Sequence, residues 1–288
     1  MAVKKRRRRR RLRVGRLLLL AVSALVLFFL SVFLLSRLID VLVNHESKPA
    51  EEAEPTPTPD PIFRHAYTWG NLTDQDGFYS YEDDTYTSRL GIDVSHYQGT
   101  IDWNAVHEAG IEFAFIRAGY RGHTTGELHE DTGYRENIQA ALDAGVEVAV
   151  YFFSQANGAA EAEEEAEYLM RLIRDYPVHV CAYDLEIDRS QGRLTETTQD
   201  ANTEAAYAFC RKVKENGYTP LVYGSVSFLS TDVRMSELQD ITQFWLAWYD
   251  DAVPPFPYAF TIWQYSCTGS VPGIETDVDM NILFTKKQ

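Results

Sequence analysis

From Leu90 onward, short apolar runs alternate with stretches of helical character, and this alternation restricts the fold more than any other feature of the chain. The runs LGIDVS (90–95), EFAFIRAG (112–119), VEVAVYFFS (146–154), VHVCAYDLE (178–186) and TPLVYGS (219–225) are nearly continuously apolar, as strands buried on both faces are. Between them lie a short helix from Asp102, the helix 133–145 closed by Gly145, the Glu/Ala-rich helix Ala159 to Asp175, and Thr198 to Asn216 followed by Gly217. Each glycine stands where a helix leaves its right-handed backbone. FWLAWYD (244–250), FTIWQYS (260–266) and TDVDMNI (276–282) add three strands with little helix between them. Alternating strand and helix predicts a parallel sheet, and eight strands predict its closure. The expectation is an α/β, TIM-like barrel over 90–288, with five β/α units followed by three helix-poor strands. An open doubly wound sheet is the alternative; no G-x-G-x-x-G follows the first strand, so a dinucleotide site has no support.

The region before the barrel reads as three segments. Residues 1–16 hold ten Lys/Arg and no acid, and Leu17 to Ser36 is a run of twenty residues without a charge. At about 1.5 Å per residue such a run spans a hydrocarbon core of about 30 Å, and flanking positive charge stays cytoplasmic. The expectation is a single-pass membrane protein with its N-terminus inside and the barrel extracellular. A cleaved signal peptide is the rival, but the run is long for one and no clean small-x-small site follows it. Residues 37–89 read as a juxtamembrane segment and a Pro/Glu-rich stalk (ESKPAEEAEPTPTPDPI at 46–62). Whether the aromatic-rich 63–89 belongs to the stalk or packs on the barrel is open at this stage.

Charge excludes one class of partner. The chain has 27 basic and 42 acidic residues; outside 1–16, 17 basic residues remain against those 42 acids, a net of −25. Such a body repels nucleic acid. Three cysteines (Cys181, Cys210, Cys267) are not a disulfide framework and read as free thiols, although one pair is possible. There is no C-x-x-C, H-E-x-x-H, G-x-S-x-G or P-loop, and the seven histidines show no ligand spacing. Neither a metal nor a cofactor is expected, and oligomeric state is not legible.

In a parallel barrel the site lies at the C-terminal ends of the strands. Strand one ends in Asp93 and strand two in Arg117 and Tyr120. Strand three ends in Tyr151, Phe152, Phe153 and Gln155, and strand four in Asp184-Leu185-Glu186. Strand five carries Tyr223; strand six ends in Trp248, Tyr249 and Asp250; strand seven carries Trp263, Gln264 and Tyr265; and the last carries Asp277, Asp279 and Asn281. His96 follows strand one and suits either ligand contact or turn packing. Asp184 and Glu186 are two apart, so their side chains share a face. Two carboxyls in one low-dielectric mouth cannot both ionise easily, so one is held protonated. A protonated carboxyl is the general acid that glycosidic cleavage needs.

At these residues the chain resembles the family 25 glycoside hydrolases, which are lysozymes. The matching stretches are GIDVSHYQGTIDW (91–103), FAFIRAGY (113–120), YFFSQA (151–156), YDLE (183–186), LVYGS (221–225), LAWY (246–249), IWQYS (262–266) and VDMN (278–281), in family order. The resemblance implies a barrel with five β/α units and three further strands. It also implies hydrolysis of the β-1,4 bond between N-acetylmuramic acid and N-acetylglucosamine in peptidoglycan. On its pattern Glu186 is the general acid, and Asp184 stabilises the reacting centre directly or by orienting the substrate's acetamido group. Asp93 and Asp279 match the other acidic positions; Tyr223 matches an aromatic wall, and Trp248 and Gln264 sit in matching strand ends. Tyr151-Phe152-Phe153 departs from the family's frequent Tyr-His-Phe, which implies loss of a polar group from substrate contacts there. A non-catalytic glycan-binding barrel and an envelope scaffold are the competing classes of function.

Overall fold

The computed structural model describes residues 62–250 and 253–287. The basic tail 1–16, the apolar run 17–36 and the stalk up to residue 61 lie outside the described residues, and among the described residues no helix is long and apolar enough to cross a membrane.

Eight strands close a barrel: β3 (Tyr86–Val94), β4 (Phe113–Arg121), β6 (Glu147–Ser154), β7 (Val180–Leu185), β8 (Thr219–Ser225), β9 (Gln243–Ala247), β10 (Ile262–Gly269) and β11 (Val278–Lys286), with β11 returning to β3. A short β5 (Leu128–Glu130) hangs on the edge of β4, and β1 (Leu72–Gln75) pairs with β2 (Phe78–Tyr81) as a separate hairpin. The seven barrel strands from β3 to β10 run parallel to one another. The last strand corrects the expected all-parallel sheet, because β11 is antiparallel to both β10 and β3. Its connection explains this. Only residues 270–277 separate β10 from β11, whereas a parallel crossover needs about a dozen or more. The first barrel strand also begins at Tyr86 rather than at the expected Leu90.

Side chains alternate across the wall. Phe113, Phe115, Ala149, Tyr151, Ala182, Leu221, Tyr223, Trp245, Ala247 and Ile262 form a buried cluster inside the barrel. Gly91 is needed there, since an added Cβ would lie 2.3 Å from the Phe113 ring. The outward residues belong to a second, larger core, and two different coverings complete it. Over the middle strands the cover is helical. Ala159–Ile173 buries Ala162, Glu165, Ala166, Leu169 and Ile173, the stripe expected of a 3.6-residue period, and packs beside Gln199–Glu215. The latter starts where the Thr198 hydroxyl accepts the Ala201 N–H and is followed by Gly217 at φ 86°.

Where helices are lacking, residues 62–81 cover the outer face of β10, β11 and β3. Tyr67 stacks on Phe284 (4.1 Å between centroids) and donates to the Phe260 carbonyl at 2.6 Å. Trp69 and Tyr79 meet Trp263 at 5.8 and 5.6 Å. Tyr79 lies nearly parallel to Tyr265 at 4.1 Å, and the Tyr265 hydroxyl donates to the Gly77 carbonyl at 2.9 Å. The hairpin turns at Asp76-Gly77, both with positive φ (56° and 88°), which a two-residue turn between twisted strands requires. The segment left undecided by sequence is therefore part of the folded body. The three cysteines are free, Cys181 and Cys210 buried and Cys267 exposed.

Candidate active site

The four acids expected to act together come from three strands, β3, β7 and β11, and line one cleft of about 300 Å³, with Arg117, Tyr151, Phe153, Tyr223 and Gln264. Asp93 and Asp279 are register partners across β3 and β11. Asp184 faces inward from β7, and Glu186 follows one residue past that strand. Glu186 also borders a second lobe of about 570 Å³ lined by Trp248, Phe228, Asp232 and Asp250, and Tyr223 and Tyr249 are shared by the two lobes. Glu186 thus stands where the lobes meet, with its side chain reaching solvent through the open mouth.

A polar network fixes the far wall. Gln264 and Asn281, paired across β10 and β11, both donate to Asp93 Oδ2, at 2.7 and 2.8 Å. Gln264 accepts from the Tyr223 hydroxyl at 2.7 Å and from Tyr249, while Asn281 accepts from the Trp245 indole at 2.8 Å. Complete burial and then the Asp279 charge push the Asp93 carboxyl well above the usual range, against the donors from Asn281 and Gln264. Asp93 and Asp279 share a side-chain hydrogen bond. Burial raises Asp279 and this hydrogen bond lowers it, leaving it above the ordinary value.

On the opposite wall, burial pushes Asp184 up, followed by the charges of Glu186 and Asp93; Arg117 works the other way. Its buried Oδ1 has no partner, a costly state that a bound donor would relieve. Glu186 is raised first by partial desolvation and then by Asp279. These carboxyls titrate as a set, all four raised above their ordinary range, and a carboxyl that keeps its proton is what an acid-catalysed cleavage uses.

Arg117, at the rim, is the one basic side chain lining the first lobe among the described residues. Its Nε donates to buried Asp131 at 2.8 Å, and its guanidinium lies between the rings of Tyr97 and Tyr120, at 5.1 and 5.5 Å. Tyr120 does not line the cleft as expected. It pairs with His129 of the extra strand β5, and that ring covers its face at 5.0 Å. The Phe152 departure does not touch the cleft either, because Phe152 is fully buried on the outer side near Tyr168. Trp245 and Tyr97 were not anticipated. Trp245 and Ala247 in β9 and Tyr249 two residues past its end alternate in sequence, a period-two signal that places Trp245 on the same inner face; no pattern marks Tyr97, which is 70% exposed at the rim.

Comparison with known proteins agrees with this geometry. Residues 92–274 match the family model described as glycosyl hydrolases family 25. The chain is 32% identical over 200 residues to Lysozyme M1 of Streptomyces globisporus, covering 66% of each chain. It is 28% identical over 192 residues to the autolytic lysozyme of Clostridium acetobutylicum, covering 66% of this chain and 54% of that one. The alignments therefore leave a third to nearly half of those relatives unspanned. The crystal structure of the lysozyme from Streptomyces coelicolor superposes with a TM-score of 0.58 at 27% identity, covering 67% of this chain and 90% of that one.

Proposed function

The chain belongs to glycosyl hydrolases family 25, and from that premise we propose that it is a muramidase that hydrolyses the β-1,4 bond between N-acetylmuramic acid and N-acetylglucosamine in peptidoglycan. One observation carries the reading: Glu186, a carboxyl raised above its ordinary range, stands between two lobes that can take sugars on either side of a scissile bond. Glu186 protonates the glycosidic oxygen as the bond to the muramic C1 breaks. Asp184 stabilises the positive charge that develops there, with its unpartnered Oδ1 ready to accept a substrate N–H. Water then adds its hydroxide to C1 and returns a proton to Glu186. Asp93 and Asp279 shape the field around this centre, and the Tyr223, Trp248 and Phe153 rings offer flat faces to sugars.

Mass spectrometry of peptidoglycan digested by the purified chain tests the reaction: products should carry N-acetylmuramic acid at the new reducing end. Glu186→Gln should lower kcat by about 10²–10⁴-fold, the usual contribution of a general acid. Retained turnover in that variant would remove Glu186 from its role. Residues 17–36 are proposed as the membrane anchor, with the basic tail cytoplasmic and the barrel outside, where this substrate lies. The support is the uncharged run and its basic flank. Protease added to intact cells should digest the barrel and spare the tail.

A further inference from the structure

Glu186 lies one residue beyond the regular ladder, because the pairing of β6 with β7 ends at Ser154 opposite Leu185. Its carbonyl has no strand partner there, and a backbone released from a ladder frays. A side chain fills the gap. The amide of Gln155, 1% exposed, donates from Nε2 to the Glu186 carbonyl oxygen at 3.0 Å. It supplies the next rung that a backbone N–H would otherwise supply.

Gln155 is itself fastened on both sides. Its N–H donates to Glu165 Oε1 at 3.4 Å, and its carbonyl accepts from Arg193 Nη1 at 3.2 Å. Glu165, with no exposed surface, is bonded by Arg121 Nε at 2.7 Å and by the Ser154 hydroxyl at 2.6 Å. Arg193 is forked onto Glu161 at 3.0 and 2.8 Å. Glu161 and Glu165 are four apart, on one face of the helix Ala159–Ile173. Arg121 reaches this outer side because β4 carries one extra residue: Arg117 pairs with Tyr151 but Gly119 pairs with Phe152. Strand alternation alone would give Arg121 the inward parity of Arg117.

We propose that Gln155 is a positioning residue that holds Glu186 in its proton-donating place, with the Arg121–Glu165 pair and the Arg193–Glu161 pair as its anchors. The proposal rests on the reading of Glu186 as the general acid. The charged and titratable groups around Gln155 are Glu161, Glu164 and Glu165 from the helix, Arg121 from β4, Arg193 from the segment after β7, the Tyr183 phenol from β7, and Glu186 itself. Burial raises Glu165 to about 7 against the bonds from Ser154 and Arg121.

The test compares the full chain with its Gln155→Ala, Gln155→Glu and Glu186→Gln variants on soluble peptidoglycan fragments, measuring kcat and KM from pH 4 to 8. Gln155→Ala should lower kcat by about 10–100-fold, the scale of a misplaced catalytic group, with KM nearly unchanged. Gln155→Glu keeps the shape. Protonated, its carboxyl can donate to the Glu186 carbonyl; ionised, it sets acceptor against acceptor. Its activity relative to the unaltered chain should therefore rise as pH falls, while that of Gln155→Ala stays flat. If Gln155→Ala fails to fold by circular dichroism, the isosteric variant decides alone. Unaltered kcat in Gln155→Ala, or a pH-independent ratio for Gln155→Glu, overturns the proposal. Active Glu186→Gln would topple the reading of the acid and this proposal together; inactive Glu186→Gln beside fully active Gln155 variants topples only the proposal.

Discussion

The barrel wall is insulated in two ways, and the two halves of the cleft inherit the difference. Behind β4 to β8 the cover is the helices that connect successive strands, so each piece of cover is local in sequence. Behind β10, β11 and β3 the cover is the segment 62–81, whose contacts join residues nearly two hundred positions apart, such as Tyr67 to Phe260 and Gly77 to Tyr265. The helical side ends in Glu186, steadied from behind through Gln155 and helix Ala159–Ile173. The clasped side ends in the network of Asp93, Gln264 and Asn281. In β10 the outward Trp263 and Tyr265 are gripped by the clasp, and the inward residue between them is Gln264, the hub of that network. A proton donor on one wall faces a rigid polar wall on the other, and each wall depends on its own cover.

Removing the clasp should produce the largest effect. A chain lacking residues 62–81 loses buried Tyr81 together with the Tyr67, Trp69 and Tyr79 contacts. Each large aromatic taken from a core costs about 3–5 kcal/mol, against a whole-domain stability of about 5–15 kcal/mol. This chain should not unfold cooperatively at room temperature. A urea melt close to that of the unaltered protein would break the comparison, since β10 and β11 would then need no cover.

A smaller pair of substitutions separates stability from positioning. Leu169→Ala, in the helical cover, should cost about 2–5 kcal/mol and leave kcat and KM unchanged below its melting transition. Tyr79→Ala removes a half-buried stack worth about 0.5–1.5 kcal/mol beyond its area, so it should destabilise less. It should nonetheless raise KM, because Trp263, which Tyr79 touches, donates its indole N–H to the Trp248 carbonyl at 2.8 Å beside the second lobe. If activity simply follows stability in both variants, the clasp is only a cover.

The same contrast explains what was legible in the sequence. The helical half follows from local rules: apolar runs for strands, a 3.6-residue stripe in Ala159–Ile173, and Gly145 and Gly217 after their helices. The acids were legible too, because strand parity puts Asp184 on the inner face and strand ends are where polar residues of a barrel gather. The antiparallel turn of β11 could have been read from the short stretch 270–277, and the hairpin from Asp76-Gly77 between aromatic runs. What the hairpin covers could not, since nothing local links Tyr79 to Tyr265. The bulge at Ala118, which sends Arg121 outward to Glu165, leaves no mark in the sequence, and Tyr120 is lost to the cleft only because β5 adds itself to that edge.

The smallest expected effect crosses from one half to the other. Asp279 lies on the clasped wall and Glu186 on the helical one, yet Glu186 is raised by desolvation and then by the Asp279 charge. Asp279→Asn removes that charge. The Glu186 carboxyl should then ionise at lower pH, and the alkaline limb of kcat/KM, which follows loss of the acid's proton, should move down. Stability should change in a related way. Asp93 and Asp279 are both raised in the folded chain, so the native state holds more protons than the unfolded one as pH climbs above the ordinary carboxylate range, and native stability falls with that climb. The Asn variant loses the Asp279 contribution and weakens that of Asp93, so its melting temperature relative to the unaltered chain should rise from pH 4 toward pH 8. An alkaline limb that stays in place would mean the Asp279 charge does not reach Glu186, and that the two walls act as separate electrostatic sites.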